Sequence, residues 1–463
     1  MTTQQPHHIS YNRSIVYIIG TIAALAGLLF GVDIGVISIA NQFIQKEFML
    51  DTSQVEWVVS SILFGAVLGA LLANPISHKF GRRRALLLSA GIFVVGSILC
   101  AYAPSYRFLI NVRFILGIAL GIASFTAPIY LSEIAPKRIR GALVTLFQLM
   151  ITIGILLAFV SDTAFSYTGN WRAMLGVVAI PSAIMFIGVL VLPYSPRWLM
   201  LIGHRDRAKA VLKRVLTNQD EIDQELNDIE ANLTKSQVSW SLFKKPYFRR
   251  VLFLGLALQF IQIMTGMNTM MYYAPKIFEL AGYASSTQQA WGTVLLGVVN
   301  VLTTVIALFV VDRWGRRPLM FFGLTFMTLG MLLLGYMFIL GPVTPTQKYL
   351  AITGMLLFIF GFAISLGPVI WLLCAEIFPL RARDMGVMFT TGMNWLCCAM
   401  LGNKFPTLIT ALGPAHTFWM FSGICVLSVV FINYFAPETK NVPLETIERH
   451  LISGKKLRHI GRA

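Results

Sequence analysis

The chain has 463 residues, of which 56% are hydrophobic and only 12% charged, with a mean hydropathy of +0.72. Soluble domains carry about 25% charged residues, so this balance excludes a water-soluble globular protein. The net charge of +17 would suit a nucleic-acid binder by size alone, but the placement of the basic residues excludes that partner.

In chain order, a polar segment, residues 1–14, leads into apolar runs long enough to cross about 30 Å of hydrocarbon. Six predicted spans near 15–40, 56–77, 85–103, 108–131, 142–163 and 173–193 make a first bundle, 15–197. The first run is too long for a cleavable signal and lacks a small-residue cleavage site. Residues 198–249 are polar; RDRAKAVLKRVL and DEIDQELNDIEANL carry apolar residues at three- and four-residue spacing, which predicts short amphipathic helices covering the bundle. Six more spans near 250–280, 289–311, 318–340, 348–375, 385–405 and 415–436 make a second bundle, 250–436. The tail, 437–463, is polar, and its basic end suits anionic membrane lipid. The fold class expected is an all-α membrane protein with 12 helices.

All but seven of the 37 Lys and Arg fall on the N-terminus, the even-numbered connections and the C-terminus; the exceptions are Lys46, Arg107, Arg113, Arg172, Lys276, Lys348 and Lys404. That bias predicts cytoplasmic termini. Cys100, Cys374, Cys397, Cys398 and Cys425 lie in apolar spans without metal-ligand spacing, so no metal site is expected. No phosphate-binding glycine loop or Mg²⁺-ligating acid appears, so neither an enzyme nor an ATP-driven pump is expected. No cofactor is expected either, and any uphill work must draw on an ion gradient.

Two segments repeat. SEIAPKRIRG at 132–141 returns as AEIFPLRARD at 375–384, with Glu133 and Glu376 standing 243 positions apart. FGRRR at 80–84 returns as WGRRP at 314–318, and PYSPR at 193–197 returns weakly as PETKN at 437–441. Landmarks in one order across each half mark a duplicated membrane unit, which points to a carrier with its site between the repeats.

Asp33 lies well inside the first span, where a carboxylate is expensive and usually functional. Arg113 lies five residues into the fourth. At 1.5 Å per residue both sit about 10 Å or less below the outer boundary, which makes them partners able to exchange an ion pair for a protonated acid. Glu133, Arg140, Glu376, Arg383, Arg82, Asp312 and Arg316 gather at the predicted cytoplasmic helix ends of both halves. This mix of acid and base suggests latches that tie helices when that side closes. Inside the spans, the polar side chains are amides and aromatics: Gln148, Gln259, Gln262, Asn268, Tyr272, Asn300, Trp371 and Asn394. Amides that both donate and accept, beside flat apolar rings, suit a neutral polyhydroxylated ring. No mid-membrane Lys or Arg awaits an anion.

These landmarks, with AALAGLLFGVDIGVI, TAPIYLSEIAPKRIRGAL, SDTAFSYTGNWRAMLG and TGMNTMMYYAPKIFELAGY, make the chain resemble the sugar porters of the major facilitator superfamily, most of all the bacterial galactose–proton and arabinose–proton symporters. The resemblance implies two six-helix bundles around a central cavity and import of a monosaccharide, a hexose or a pentose, with one proton. It also implies function as a monomer in the bacterial inner membrane. Asp33 would be the proton-coupling acid and Arg113 its partner. Sugar contacts would fall on Phe30, Gln148, Gln262, Ile263, Asn268, Tyr272, Asn300, Trp371 and Asn394, and the cytoplasmic charge network would be Arg82, Glu133, Arg140, Asp312, Arg316, Glu376 and Arg383. Four positions depart from the family pattern: Ile263 replaces a second glutamine, His78 an aspartate, Tyr194 an acid and Cys398 an asparagine. A passive sugar facilitator is the nearest alternative, which Asp33 argues against, and a membrane sugar sensor is the alternative from another class.

Overall fold

The computed structural model describes residues 11–136, 139–235, 243–340, 344–379 and 382–461, without the side chains of Arg140, 232–235 and 444–445. Among these residues, 12 helices are long and apolar enough to cross a membrane. The first half holds Arg13–Phe48, Thr52–Phe80, Arg82–Ala101, Tyr106–Ile134, Gly141–Ser166 and Trp171–Val191. The second holds Pro246–Tyr272, Ser286–Trp314, Arg316–Ile339, Pro345–Ile377, Arg383–Leu412 and Pro414–Phe435. An even number of spans returns the chain to one side, so both ends share a face, here the termini face; the opposite one is the distal face.

Side chains sort by solvent. Leu190, Val191, Phe309 and Leu427 point outward, where lipid tails replace water, while Asp33, Arg113, Gln262 and Asn394 point inward. In the first half the first span packs on the fifth and the second on the fourth; in the second half the ninth packs on the tenth and the twelfth. The second also packs on the eleventh, and the fifth on the eighth, joining the halves. Close approach of the first and fifth spans depends on glycine. A Cβ on Gly31 would strike the Ile151 carbonyl, and one on Gly154 the Leu28 carbonyl.

Several helices, the first, second, fourth and fifth among them, run past the sequence boundaries at both ends. The first ends at Phe48 rather than near 40, so Asp33 lies roughly 22 Å from that end at 1.5 Å per residue. Asp33 is thus set further back from its helix end than Arg113, which lies about 10 Å from the start of Tyr106–Ile134. It still meets Arg113 because the first helix projects past the start of the fourth. Two spans are also broken. Gly266, at φ +96°, interrupts the seventh, and Ser365, at φ −128° and ψ −89°, interrupts the tenth just before Gly367 and Pro368. The polar connection forms the helices Pro196–Leu201, Arg205–Val215 and Gln219–Lys235, tied by Lys209 to Asp223 at 2.7 Å and by Arg205 to Glu230. The tail contributes Leu444–Ile452.

Replacing Gly154 with valine places two methyl groups against the backbone of the first span. We expect a loss of about 1–3 kcal/mol, read as a lower melting temperature of the purified protein; unchanged melting would contradict the close contact.

Candidate functional site

A cavity between the halves is lined by the first, fifth, seventh, eighth, tenth and eleventh spans. Phe30 and Ile34 come from the first, Gln148, Ile151, Thr152 and Ile155 from the fifth, and Gln262, Ile263, Met267, Asn268 and Met271 from the seventh. Asn300 and Thr304 come from the eighth, Gly367, Pro368 and Trp371 from the tenth, and Asn394 from the eleventh. The structure thus brings together Phe30, Gln148, Gln262, Ile263, Asn268, Asn300, Trp371 and Asn394 from segments far apart in sequence. Tyr272 is the exception: it does not line the cavity but is buried behind it at 2% exposure.

The amides divide into two kinds. Gln262 Nε2 donates to the carbonyls of Leu366 and Gly367 at 2.9 and 3.3 Å, just past the break in the tenth span. Pro368 has no N–H to offer the Ile364 carbonyl, so the span is interrupted there, and Gln262 ties the first turn of the second segment, Leu366–Ile377, to the seventh span. Asn394 Nδ2 in turn donates to Gln259 Oε1 at 2.7 Å and Gln262 Oε1 at 3.1 Å. These amides are already committed to one another and, through Gln262, to the backbone of the tenth span. Gln148 and Asn300 line the cavity with side-chain amides that meet no hydrogen-bond partner among the described residues, so their donors and acceptors are available to a ligand. Phe30 packs on Trp395 with ring centroids 4.8 Å apart, and the Trp395 indole N–H donates to Ser124 Oγ at 3.2 Å. Cys398 is buried and receives a hydrogen bond from Asn268 Nδ2 at 3.0 Å. A thiol therefore orients Asn268.

One turn along the first helix from Phe30 lies Asp33, 4% exposed. Its Oδ1 stands 3.8 Å from Nη1 of Arg113, which is itself 1% exposed. Arg113 is anchored elsewhere, its Nε donating to the Val58 carbonyl at 2.8 Å, while its Nη2 meets no partner. The pair is close enough to attract and too long for a hydrogen bond. The hydroxyl of Tyr272 is also buried without a hydrogen-bond partner.

At the termini face the repeat holds atom by atom. Arg82 bonds Glu133 at 2.9 Å, and Ser195 Oγ donates to the same carboxylate at 2.5 Å. Arg316 bonds Glu376 at 2.7 Å, and Thr439 Oγ1 donates to it at 2.5 Å. Gly81 and Gly315, at φ +86° and +92°, make the two equivalent turns. Asp312 adds a 3.3 Å contact to Arg316. His78, its counterpart, supplies only its carbonyl, to the Trp198 indole at 2.9 Å. Glu438 accepts from the backbone N–H groups of Arg316 and Arg317 at 3.0 and 2.9 Å, capping the ninth span. In its place Tyr194 offers a ring to the guanidinium of Arg83 at 4.9 Å and stacks on Trp198 at 5.4 Å. Each of these pairs ties helices within one half. The Arg140 side chain lies outside the described residues, and Arg383 opens the eleventh span at this face.

Sequence reasoning passed over two buried acids. Asp162 is 0% exposed and its Oδ2 has no partner; Glu56 is 1% exposed. Both stood at predicted span ends, 163 and 56, where an acid reads as interfacial. The longer helices put them inside. Gln259 was visible by its spacing of three from Gln262, but its role depends on Asn394, 135 residues away.

A helical bundle duplicated about a polar cavity, with a buried ion pair beside it, defines a membrane transport protein. The model of the family described as "Sugar (and other) transporter" matches residues 19–451, and the chain belongs to that family. It is 50% identical over 451 residues to the galactose-proton symporter of Escherichia coli (strain K12), covering 97% of each chain. To the arabinose-proton symporter of the same strain it is 45% identical over 460 residues, covering 98% of each. Among solved structures, the xylose transporter XylE from E. coli in a partially occluded inward open conformation matches with a TM-score of 0.81 and 29% identity. That match covers 93% of this chain and 100% of that one. The architecture is the major facilitator fold.

The two kinds of amide separate in a melting experiment. Gln262→Ala removes two hydrogen bonds to the tenth span and one acceptor of Asn394 and should cost about 1–3 kcal/mol, whereas Gln148→Ala should leave stability within about 0.5 kcal/mol. Equal losses would contradict the division.

Proposed function

We propose that this protein is a secondary carrier of the bacterial inner membrane that imports a monosaccharide together with a proton, its two halves opening alternately to either side. Kinship to two sugar-proton symporters at 50% and 45% identity supports the class. The observation that carries the coupling is Asp33, buried on the helix that also presents Phe30 and Ile34 to the cavity and 3.8 Å from Arg113. A proton taken up by Asp33 removes its attraction for Arg113, and a sugar pressing on the same helix meets the consequence directly. Gln148, Asn300 and Asn268 take the sugar hydroxyls, Trp371 and Phe30 its apolar face, and Ile263 an edge where an amide is missing. Gln262 and Asn394 hold the pocket's frame as well as facing it.

The termini lie in the cytoplasm on this reading, following the placement of the basic residues. The chain acts as a monomer, with lipid around it, and the present conformation is closed at the distal, outer face. Gln42 to Gln289 at 2.8 Å and Tyr167 to Trp291 at 3.2 Å join the halves there. The network of Arg82, Glu133, Arg140, Asp312, Arg316, Glu376 and Arg383 would join across the halves only when the inner side shuts. A passive facilitator would not need a buried acid at position 33.

Adding sugar to lightly buffered cells expressing the protein should alkalinise the medium. Asp33→Asn should abolish accumulation while leaving sugar exchange largely intact, since the amides remain. Wild-type accumulation in that variant, or uptake indifferent to collapse of the gradient, would overturn proton coupling. Ile263→Gln should tighten binding of a hexose by roughly tenfold or more, because an unpaired buried hydroxyl costs about 1–3 kcal/mol. Unchanged or weaker affinity across a panel of hexoses, deoxyhexoses and pentoses would remove Ile263 from the sugar's edge.

A further inference from the structure

Glu56 has no part in the cavity or in the Asp33 pair, yet it is 1% exposed near the distal end of the second span. Its Oε1 accepts two hydrogen bonds from one residue of the other half. The Thr407 backbone N–H donates at 2.9 Å and the Thr407 hydroxyl at 2.5 Å. One turn further along, Ser60 Oγ accepts from Asn403 Nδ2 at 2.9 Å. Thr407 follows Pro406, which sits inside the eleventh span. Lacking an N–H, Pro406 leaves the Gly402 carbonyl without its helical donor, and the Tyr273 hydroxyl of the seventh span fills the gap at 2.8 Å. Residues 402–407 are thus fastened on two sides, by the second span and by the seventh. The Gln42–Gln289 and Tyr167–Trp291 bonds at this face are neutral, whereas the bond at Glu56 is made by a carboxylate, and hydrogen bonds to charged acceptors are the stronger kind.

We infer that Glu56 is a positioning residue of the transport cycle: its carboxylate clasps Thr407 across the two halves and sets how readily the distal face opens. The inference rests on the alternating-access reading, since any opening at that face must part the second span from the distal end of the eleventh. Opening breaks two bonds to one carboxylate oxygen and hydrates the groups released. The clasp therefore favours the closed state by a finite amount and does not lock it.

The test uses the full-length protein in lipid nanodiscs, with nitroxide labels on cysteines placed at the exposed positions Ser53 and Thr410; the five native cysteines are buried. Pulsed electron–electron distances report the closed and open populations of the distal face, with and without sugar. Glu56→Ala should raise the open-to-closed ratio about tenfold to a hundredfold, the equivalent of roughly 1.5–3 kcal/mol at 1.4 kcal/mol per decade. Glu56→Gln, which keeps an oxygen acceptor, should recover part of that shift. Thr407→Val, which keeps the backbone donor, should shift it less than Glu56→Ala, and the double variant should do no more than Glu56→Ala alone. Thr407→Val also serves should Glu56→Ala fail to fold. A wild type that populates both distances beside variants with an unchanged ratio would overturn the role of Glu56 and leave alternating access standing. A single distance in every variant and condition would overturn both.

Discussion

Everything in the interior of this protein is arranged around one electrostatic constraint: a carboxylate and a guanidinium buried in helices surrounded by hydrocarbon. Neither Asp33 nor Arg113 reaches water, at 4% and 1% exposure, and each alone would be costly to keep charged. Their separation of 3.8 Å leaves the attraction in place without committing either group to a fixed hydrogen bond. Arg113 is held instead by the Val58 carbonyl, a bond in which Asp33 takes no part. A group anchored from behind and loosely held in front suits a pair that must be made and unmade.

The rest of the fold supplies rigid walls for that event. Within each half, Arg–Glu pairs, the hydroxyls of Ser195 and Thr439 and glycine-mediated contacts bind helices into a unit. Between the halves, the bonds at the distal face are few and lie on helix ends. Rigid halves joined by a limited set of breakable contacts can move as bodies, and the cavity between them is where such a movement changes access. The broken seventh and tenth spans bring backbone and amides into the cavity at mid-membrane, where an intact helix would present side chains alone.

Much of this was legible in the sequence, and the reasons differ by element. The repeat at Glu133 and Glu376 is visible because its spacing is fixed by the turn geometry it makes. Asp33 is visible because a charge in an apolar run is rare. The cavity set is visible as amides at mid-span, although the sequence could not say that Tyr272 sits behind the wall, that Gln262 serves the backbone or that Asn394 serves Gln259 and Gln262. Glu56 and Asp162 were lost to boundary placement, since a hydropathy window cannot tell where a helix continues past the hydrocarbon. Tyr194 shows the limit of motif comparison: where an acid is missing, a ring faces the Arg83 guanidinium, whereas Glu438 in the other half accepts from two backbone N–H groups. The breaks at Gly266 and before Pro368 carry local cues that average hydropathy passes over.

The central claim, that a proton gradient and a sugar are moved by the same machinery, is tested most directly in sealed proteoliposomes containing only the purified protein. With an imposed inside-alkaline pH gradient and no other energy source, labelled sugar should accumulate above its external concentration and run down when a protonophore is added. Equilibration to equal concentrations, the same with the gradient as without it, would contradict the account.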